Sequence, residues 1–154
     1  MADLSDRKPN DFTPVMASME LADYVLHITD NPNNFPICKT LVTEGAEGMV
    51  VNEINIQEDY LIDKIREQAY KIYMNVSRSN RINLRRQPDR KGERLCLQLE
   101  AISLCEDHLC TIQLCRKHFH LSTKRIKNWG NLTVKAKNAI EKWHESDVDR
   151  YKSI

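Results

Sequence analysis

Between Arg78 and Arg94 the chain carries Arg78, Arg81, Arg85, Arg86, Arg90, Lys91 and Arg94, opposed only by Asp89 and Glu93. All but one of these cations are arginine, whose planar fork bonds two phosphate oxygens at once. A second set, Lys124, Lys127, Lys135 and Lys142 interleaved with Asn131 and Asn138, recurs at three- and four-residue steps. A helix would line that set along one side. The two sets together predict a sequence-independent contact with a nucleic-acid backbone. In it, Arg78, Arg81, Arg85, Arg86, Arg90, Lys91 and Arg94 would hold phosphates, and Lys124, Lys127 and Lys135 would support them. A lysine stripe alone is more often a solvated helix face; the arginine cluster is what tips the reading.

The charge distribution points the same way. Residues 1–63 hold 3 Lys/Arg against 12 Asp/Glu (net −9), and residues 64–154 hold 20 against 10 (net +10), inside a chain of net charge +1. Such polarity fits either a charged partner or the folding of one half onto the other, within or between subunits.

Other chemistry is weaker. Cys105 and His108, and likewise Cys115 and His118, stand three apart, and each pair can share a helix face. Zinc needs four ligands converging in a tetrahedron. Cys105, Cys110 and Cys115 step by five residues, so each is rotated by roughly 140° from the last on a helix. These thiols read as small core residues, and no metal or other cofactor is expected. Glu106 and Asp107, the nearest approach to a carboxylate pair, would point about 100° apart. No glycine-rich phosphate loop, nucleophile elbow or His-Glu-x-x-His motif occurs, and no enzymatic activity is expected.

The elements that would position these residues are helical. At 154 residues one domain is expected, with residues 1–15 as a flexible polar tail and residues 16–154 as the folded unit. A first helix is predicted over Val15 to Thr29, from Met16, Met19, Leu21, Tyr24, Val25 and Ile28. The segment Asp30 to Pro36 stops it. Residues 37–55 are ambiguous, and Met49 to Ile56 alternates as a strand would. A long helix follows from Gln57 to near Asn83, with Leu61, Ile65, Ala69, Ile72, Tyr73 and Val76 on one face. The next is predicted from Glu93 to Phe119, with Leu95, Leu99, Ile102, Leu109 and Ile112 as its stripe, widened by Leu97, Ala101, Leu104 and Leu114. Ser122 or Thr123 would cap a last helix to about Lys152, where Ile126, Trp129, Thr133, Ala136, Ile140 and Trp143 show the clearest period. Gly130, inside that helix, implies the close approach of a neighbouring helix or a mild kink. Helices of this length joined by short turns predict an all-α, antiparallel four-helix bundle. No membrane-spanning run and no basic-then-apolar leader are present, and the cysteine count is odd; a cytoplasmic setting is expected.

Three segments resemble a known family. They are His27-Ile-Thr-Asp-Asn-Pro-Asn-Asn-Phe-Pro36, Leu61-Ile-Asp-Lys-Ile-Arg-Glu-Gln-Ala-Tyr-Lys-Ile-Tyr73, and the run from Ile126-Lys-Asn-Trp129 through Ala139-Ile-Glu-Lys-Trp143-His-Glu-Ser-Asp147 to Asp149-Arg-Tyr151. In this order they look like the Avd-like four-helix accessory variability proteins of diversity-generating retroelements, over roughly residues 20–152. The resemblance implies a homopentamer with a basic surface and no catalytic activity. It also implies a reverse transcriptase and its template RNA, with the cDNA copied from it, as partners in mutagenic reverse transcription. The chain departs from the family after Phe35-Pro36, where Ile37-Cys38 and an acidic stretch with Glu44, Glu47 and Glu53 precede the second helix. Two other readings stand beside it: a four-helix protein of the ribosomal-RNA intervening-sequence type, and an oligomeric interaction scaffold without nucleic-acid binding.

Overall fold

The computed structural model describes residues 12–31, 34–35, 42–45, 48–51 and 56–154. Four helices carry the fold: α1 (Thr13–Asp30), α2 (Ile56–Arg81), α3 (Lys91–His118) and α4 (Thr123–Arg150). Between α1 and α2 lies a two-stranded antiparallel hairpin of β1 (Val42–Gly45) and β2 (Gly48–Val51), in which Gly45 faces Gly48 and Val42 faces Val51. The alternation read from Met49 is thus extended as far as Val51, while Ile56 already belongs to α2. Residues 1–11 of the predicted tail, Cys38, and the prolines at 32 and 36 lie outside the described residues.

Each helix packs against two others, α1 on α2 and α4, and α3 on α2 and α4. Hydrogen bonds give the sense of two pairs. Ser79, near the end of α2, bonds the carbonyl of Arg94 at the start of α3, and Gln68 meets His108 at mid-helix. Likewise Gln98 reaches Asp147 and His108 reaches Trp129, so α4 runs back along α3. On α1 and α4, Phe12 packs edge-on against Trp143 and Lys135 pairs with Glu20.

Local chemistry explains the ends. Ser122 caps α4, its hydroxyl accepting from the Arg125 amide. Pro14 stands in the first turn of α1, where its missing N–H is no loss. That helix begins at Thr13, before the predicted Val15, and Pro14 and Val15 are buried while Phe12 packs on the core. Residues 12–15 therefore belong to the bundle and not to a tail: their apolar side chains have somewhere to go.

The core follows the predicted stripes on α2 and α4. Ile65, Ala69, Ile72 and Val76 are buried, as are Trp129, Thr133, Ala136, Ile140 and Trp143. On α1 the inward residues are Leu21, Val25 and Ile28, while Met16 and Met19 are exposed. α3 departs most. Its buried positions are Gln98, Ala101, Cys105, His108, Ile112 and Cys115, whereas Leu99 and Leu114 are about half exposed, at 52% and 45%. The apolar stripe predicted for α3 is therefore rotated from the observed one. Polar Gln98 and His108 can turn inward because every hydrogen-bonding atom they bury finds a partner. At Gly130 the close approach of a neighbouring helix, one of the two readings of that glycine, is not found. A Cβ placed there would meet nothing within 4 Å, so no neighbouring helix requires its lack of a side chain.

Candidate nucleic-acid interface

The turn joining α2 to α3 is built by alternation. Ile82 and Leu84 point into the core, at 1% and 2% exposure, and Asn83, Arg85 and Arg86 point out. Asn83 closes the turn on itself. Its side-chain oxygen accepts the Arg85 amide at 3.0 Å, and its carbonyl accepts the amides of Arg86 and Gln87 at 3.1 and 2.8 Å. This is the local bonding for which asparagine is favoured in turns. Pro88 then opens a single 3-10 turn, Pro88–Arg90, that runs straight into α3. Arg85 and Arg86 consequently stand on a short, doubly anchored backbone.

The seven predicted cations divide by what they touch. Arg78, Arg81, Arg85 and Arg86 are exposed, and among the described residues their guanidinium groups make no ion pair. Arg78 and Arg81 occupy the last turn of α2, where cations also offset the negative end of the helix dipole. Arg90 forks onto both oxygens of Glu93 at 2.8 Å. That hydrogen bond raises the Arg90 pKa and lowers that of Glu93. Lys91 reaches across to the carbonyls of Tyr151 at 2.6 Å and Ile154 at 3.2 Å.

Arg94 is a structural residue. Its side chain is 11% exposed against 2% for Asp147. It bonds both carboxylate oxygens, at 2.7 and 3.2 Å, and donates to the Ile82 carbonyl at 2.7 Å. The guanidinium also lies over the Trp143 ring, 5.3 Å from its centroid. Gln98 adds a third bond to Asp147 at 2.7 Å and accepts from His144 Nδ1 at 2.9 Å. Arg94 thus spends three of its five N–H groups on partners within the bundle, unlike its four exposed neighbours.

The lysines lie elsewhere. Asp147, which meets Arg94, is 23 positions along α4 from Lys124, or about 35 Å at 1.5 Å per residue. Lys124 and Lys127 are therefore at the opposite end of the bundle from the arginine turn. Both are exposed. Lys135 sits between the ends and pairs with Glu20 at 3.0 Å, an exposed contact of small energetic weight. At the far end, exposed Arg116, Lys117, His118 and His120 join Lys124 and Lys127 across the α3 to α4 turn. These four residues are not among the cations expected from the sequence, although they crowd within a few positions of Ser122. The structure thus divides the expected surface into two basic ends of one bundle.

Neither metal pair is arranged to ligate. His108 is fully buried, and both of its nitrogens are engaged, Nε2 by the Trp129 indole and Nδ1 with Gln68 Oε1, each at 2.9 Å. Cys105 is buried with its thiol pushed up to about 12 by desolvation. Cys115 is buried while His118 is exposed. Among the described residues no three His, Cys, Asp or Glu side chains cluster so as to hold a metal ion. Glu106 and Asp107 are both exposed, and Glu106 lies 3.7 Å from Lys137. No helix of the described residues is long and apolar enough to cross a membrane.

No protein-family model, curated protein or solved structure matches the chain.

Proposed function

We propose that this chain is a non-enzymatic accessory protein of a retroelement reverse transcriptase. In this reading it binds the polymerase and its template RNA, with the cDNA copied from it, and supports mutagenic reverse transcription in the cytoplasm as a homo-oligomer, a pentamer by family resemblance. The observation that carries it is the arginine turn: Arg78, Arg81, Arg85 and Arg86 are exposed and without ion-pair partners among the described residues, on a backbone anchored by Ile82 and Leu84. Such groups lose little side-chain partnering when they bond phosphate, and electrostatic contact of this kind is indifferent to sequence.

The test is the salt dependence of RNA binding. Four phosphate contacts on a single strand give a slope of about −2.8, or roughly a 50-fold loss of affinity between 50 and 200 mM salt. Replacing Arg85 and Arg86 by glutamate should weaken binding more than tenfold and leave the melting temperature unchanged. Affinity independent of salt, or unaltered in that variant, would remove this reading. Co-purification with a reverse transcriptase from the native host tests the partner, and a reverse transcriptase gene nearby separates this role from the ribosomal-RNA intervening-sequence type.

One observation favours the scaffold as second reading. Met16, Met19 and Leu26 are exposed on α1, at 49%, 36% and 56%, beside the acidic Glu20 and Asp23. An oligomer in light scattering without measurable RNA binding would support that alternative.

A further inference from the structure

At the end of the bundle where α2 finishes and α4 finishes, the start of α1 leaves an open cavity of about 420 Å³. Cavities of this size fall in the range that takes small ligands. Along one side of it Lys142, Ser146 and Arg150 stand four residues apart on α4, and Asn80 lines it from α2. That spacing puts the three α4 side chains in one row, about 6 Å apart along the axis. All four residues are exposed, and none makes a side-chain hydrogen bond or ion pair among the described residues. The remainder of the lining includes an apolar wall of Phe12, Pro14 and Trp143.

The charge of the cavity is set by subtraction. Among the described residues Asp147 is the single acidic one in its lining, and that carboxylate already accepts two bonds from Arg94 and one from Gln98. With the Arg94 and Asp147 charges cancelling, the ammonium of Lys142 and the guanidinium of Arg150 remain. A site with two unmatched cations, a hydroxyl and an amide on one side and aromatic carbon on the other suits an anion that carries a flat or cyclic apolar body. Phosphate is favoured over carboxylate because its three oxygens can occupy the ammonium, hydroxyl and guanidinium donors together.

We propose that this cavity binds a nucleoside monophosphate group, as a free nucleotide or as the phosphorylated end of a strand. Lys142, Ser146 and Arg150 hold the phosphate, and the wall of Phe12, backed by Trp143, takes the sugar and base. The strand-end form rests on the nucleic-acid reading above; the free-nucleotide form does not.

The experiment is a titration of the full chain with AMP, adenosine and inorganic phosphate, followed by calorimetry and by amide and indole chemical shifts. AMP should bind at least tenfold more tightly than adenosine, and the Trp143 indole and the Asn80 side-chain amide should shift with it. In parallel, an oligonucleotide with a 5′-phosphate should bind more tightly than its 5′-hydroxyl twin. Lys142→Gln with Arg150→Gln should abolish both preferences without lowering the melting temperature. If that variant fails to fold, the wild-type shifts decide: perturbations mapping away from Trp143 and Asn80 overturn the proposal. AMP no tighter than adenosine, with no gain from the 5′-phosphate, overturns it as well. Arg85→Glu with Arg86→Glu separates the two readings, because it should lose RNA and keep AMP. Normal RNA binding with no AMP or phosphate-end preference defeats the cavity alone.

Discussion

Trp129 donates its indole N–H to Nε2 of His108 at 2.9 Å, in the middle of the bundle. An indole can only donate, so Nε2 must be bare. The ring's single proton is then on Nδ1, which donates to Gln68 Oε1 at 2.9 Å. Burial adds to this arrangement and pushes the His108 pKa down from 6.5 to about 4.

His108 should therefore stay neutral through the physiological range, and its ring signals should titrate only near pH 4. The sign for stability follows from proton counting. Between the ordinary histidine pKa and the depressed one the unfolded chain holds more protons, so stability rises with pH there. It is fully present above about pH 6.5 and declines as pH falls toward 4, by on the order of 3 kcal/mol. Urea denaturation at pH 7, 5.5 and 4.5 measures this; a ring titrating near 6.5 would refute the burial account.

Asp147→Ala should be among the most damaging single changes. It leaves the Arg94 guanidinium buried without its carboxylate, and breaking one side of a buried pair costs about 3–5 kcal/mol. Arg94→Gln should likewise lower the melting temperature, which distinguishes Arg94 from Arg85 and Arg86. Thermal denaturation of these two single variants beside the Arg85→Glu, Arg86→Glu double variant makes the comparison.

Gly130→Ala should stabilise the protein. The added methyl group meets nothing within 4 Å, and alanine is favoured over glycine inside a helix by roughly 1 kcal/mol. For a domain of this size the melting temperature should rise by about 2–4 °C. A decrease would mean that the backbone at Gly130 is needed for something other than helix.

The four described cysteines should separate into two classes toward an alkylating reagent. Cys105 and Cys115 are buried, with thiols pushed up to about 12 by desolvation, and only the thiolate reacts. Cys96 and Cys110 are exposed. Peptide mapping after brief alkylation in native buffer should find label on the latter two and gain Cys105 and Cys115 only after unfolding.

Where a stretch of helix buries only apolar or small residues, the sequence announces it. The clear case is α4 between Trp129 and Trp143, whose period marks the inward face, with Ser122 as cap. α3 shows the opposite. Leucines surround much of it, and the inward face is chosen by Gln98 and His108, whose partners Asp147 and Trp129 are 49 and 21 positions away. No hydropathy pattern carries that information. The candidate interface was legible in the same partial way. The identities of its cations and the exposure of Arg85 and Arg86 could be read from a local turn. The loss of Arg94 to a distant carboxylate could not. Nor could the separation of Lys124 and Lys127 from the arginines, which depends on the direction in which α4 returns.

The polar contacts of α3 decide more than one hydrogen bond apiece. A helix with leucine on several sides could be turned about its axis and still find apolar surface to cover. Turning α3 by one residue, about 100°, would strip Asp147 of Gln98 and leave the Trp129 N–H facing carbon, at about 1–3 kcal/mol for each orphaned group. The two hydrogen-bonded threads thus act as alignment keys: they reject alternative rotations of an otherwise oily cylinder. Replacing them with hydrocarbon would remove the distinction between the right packing and its near neighbours, whatever it did to the melting point.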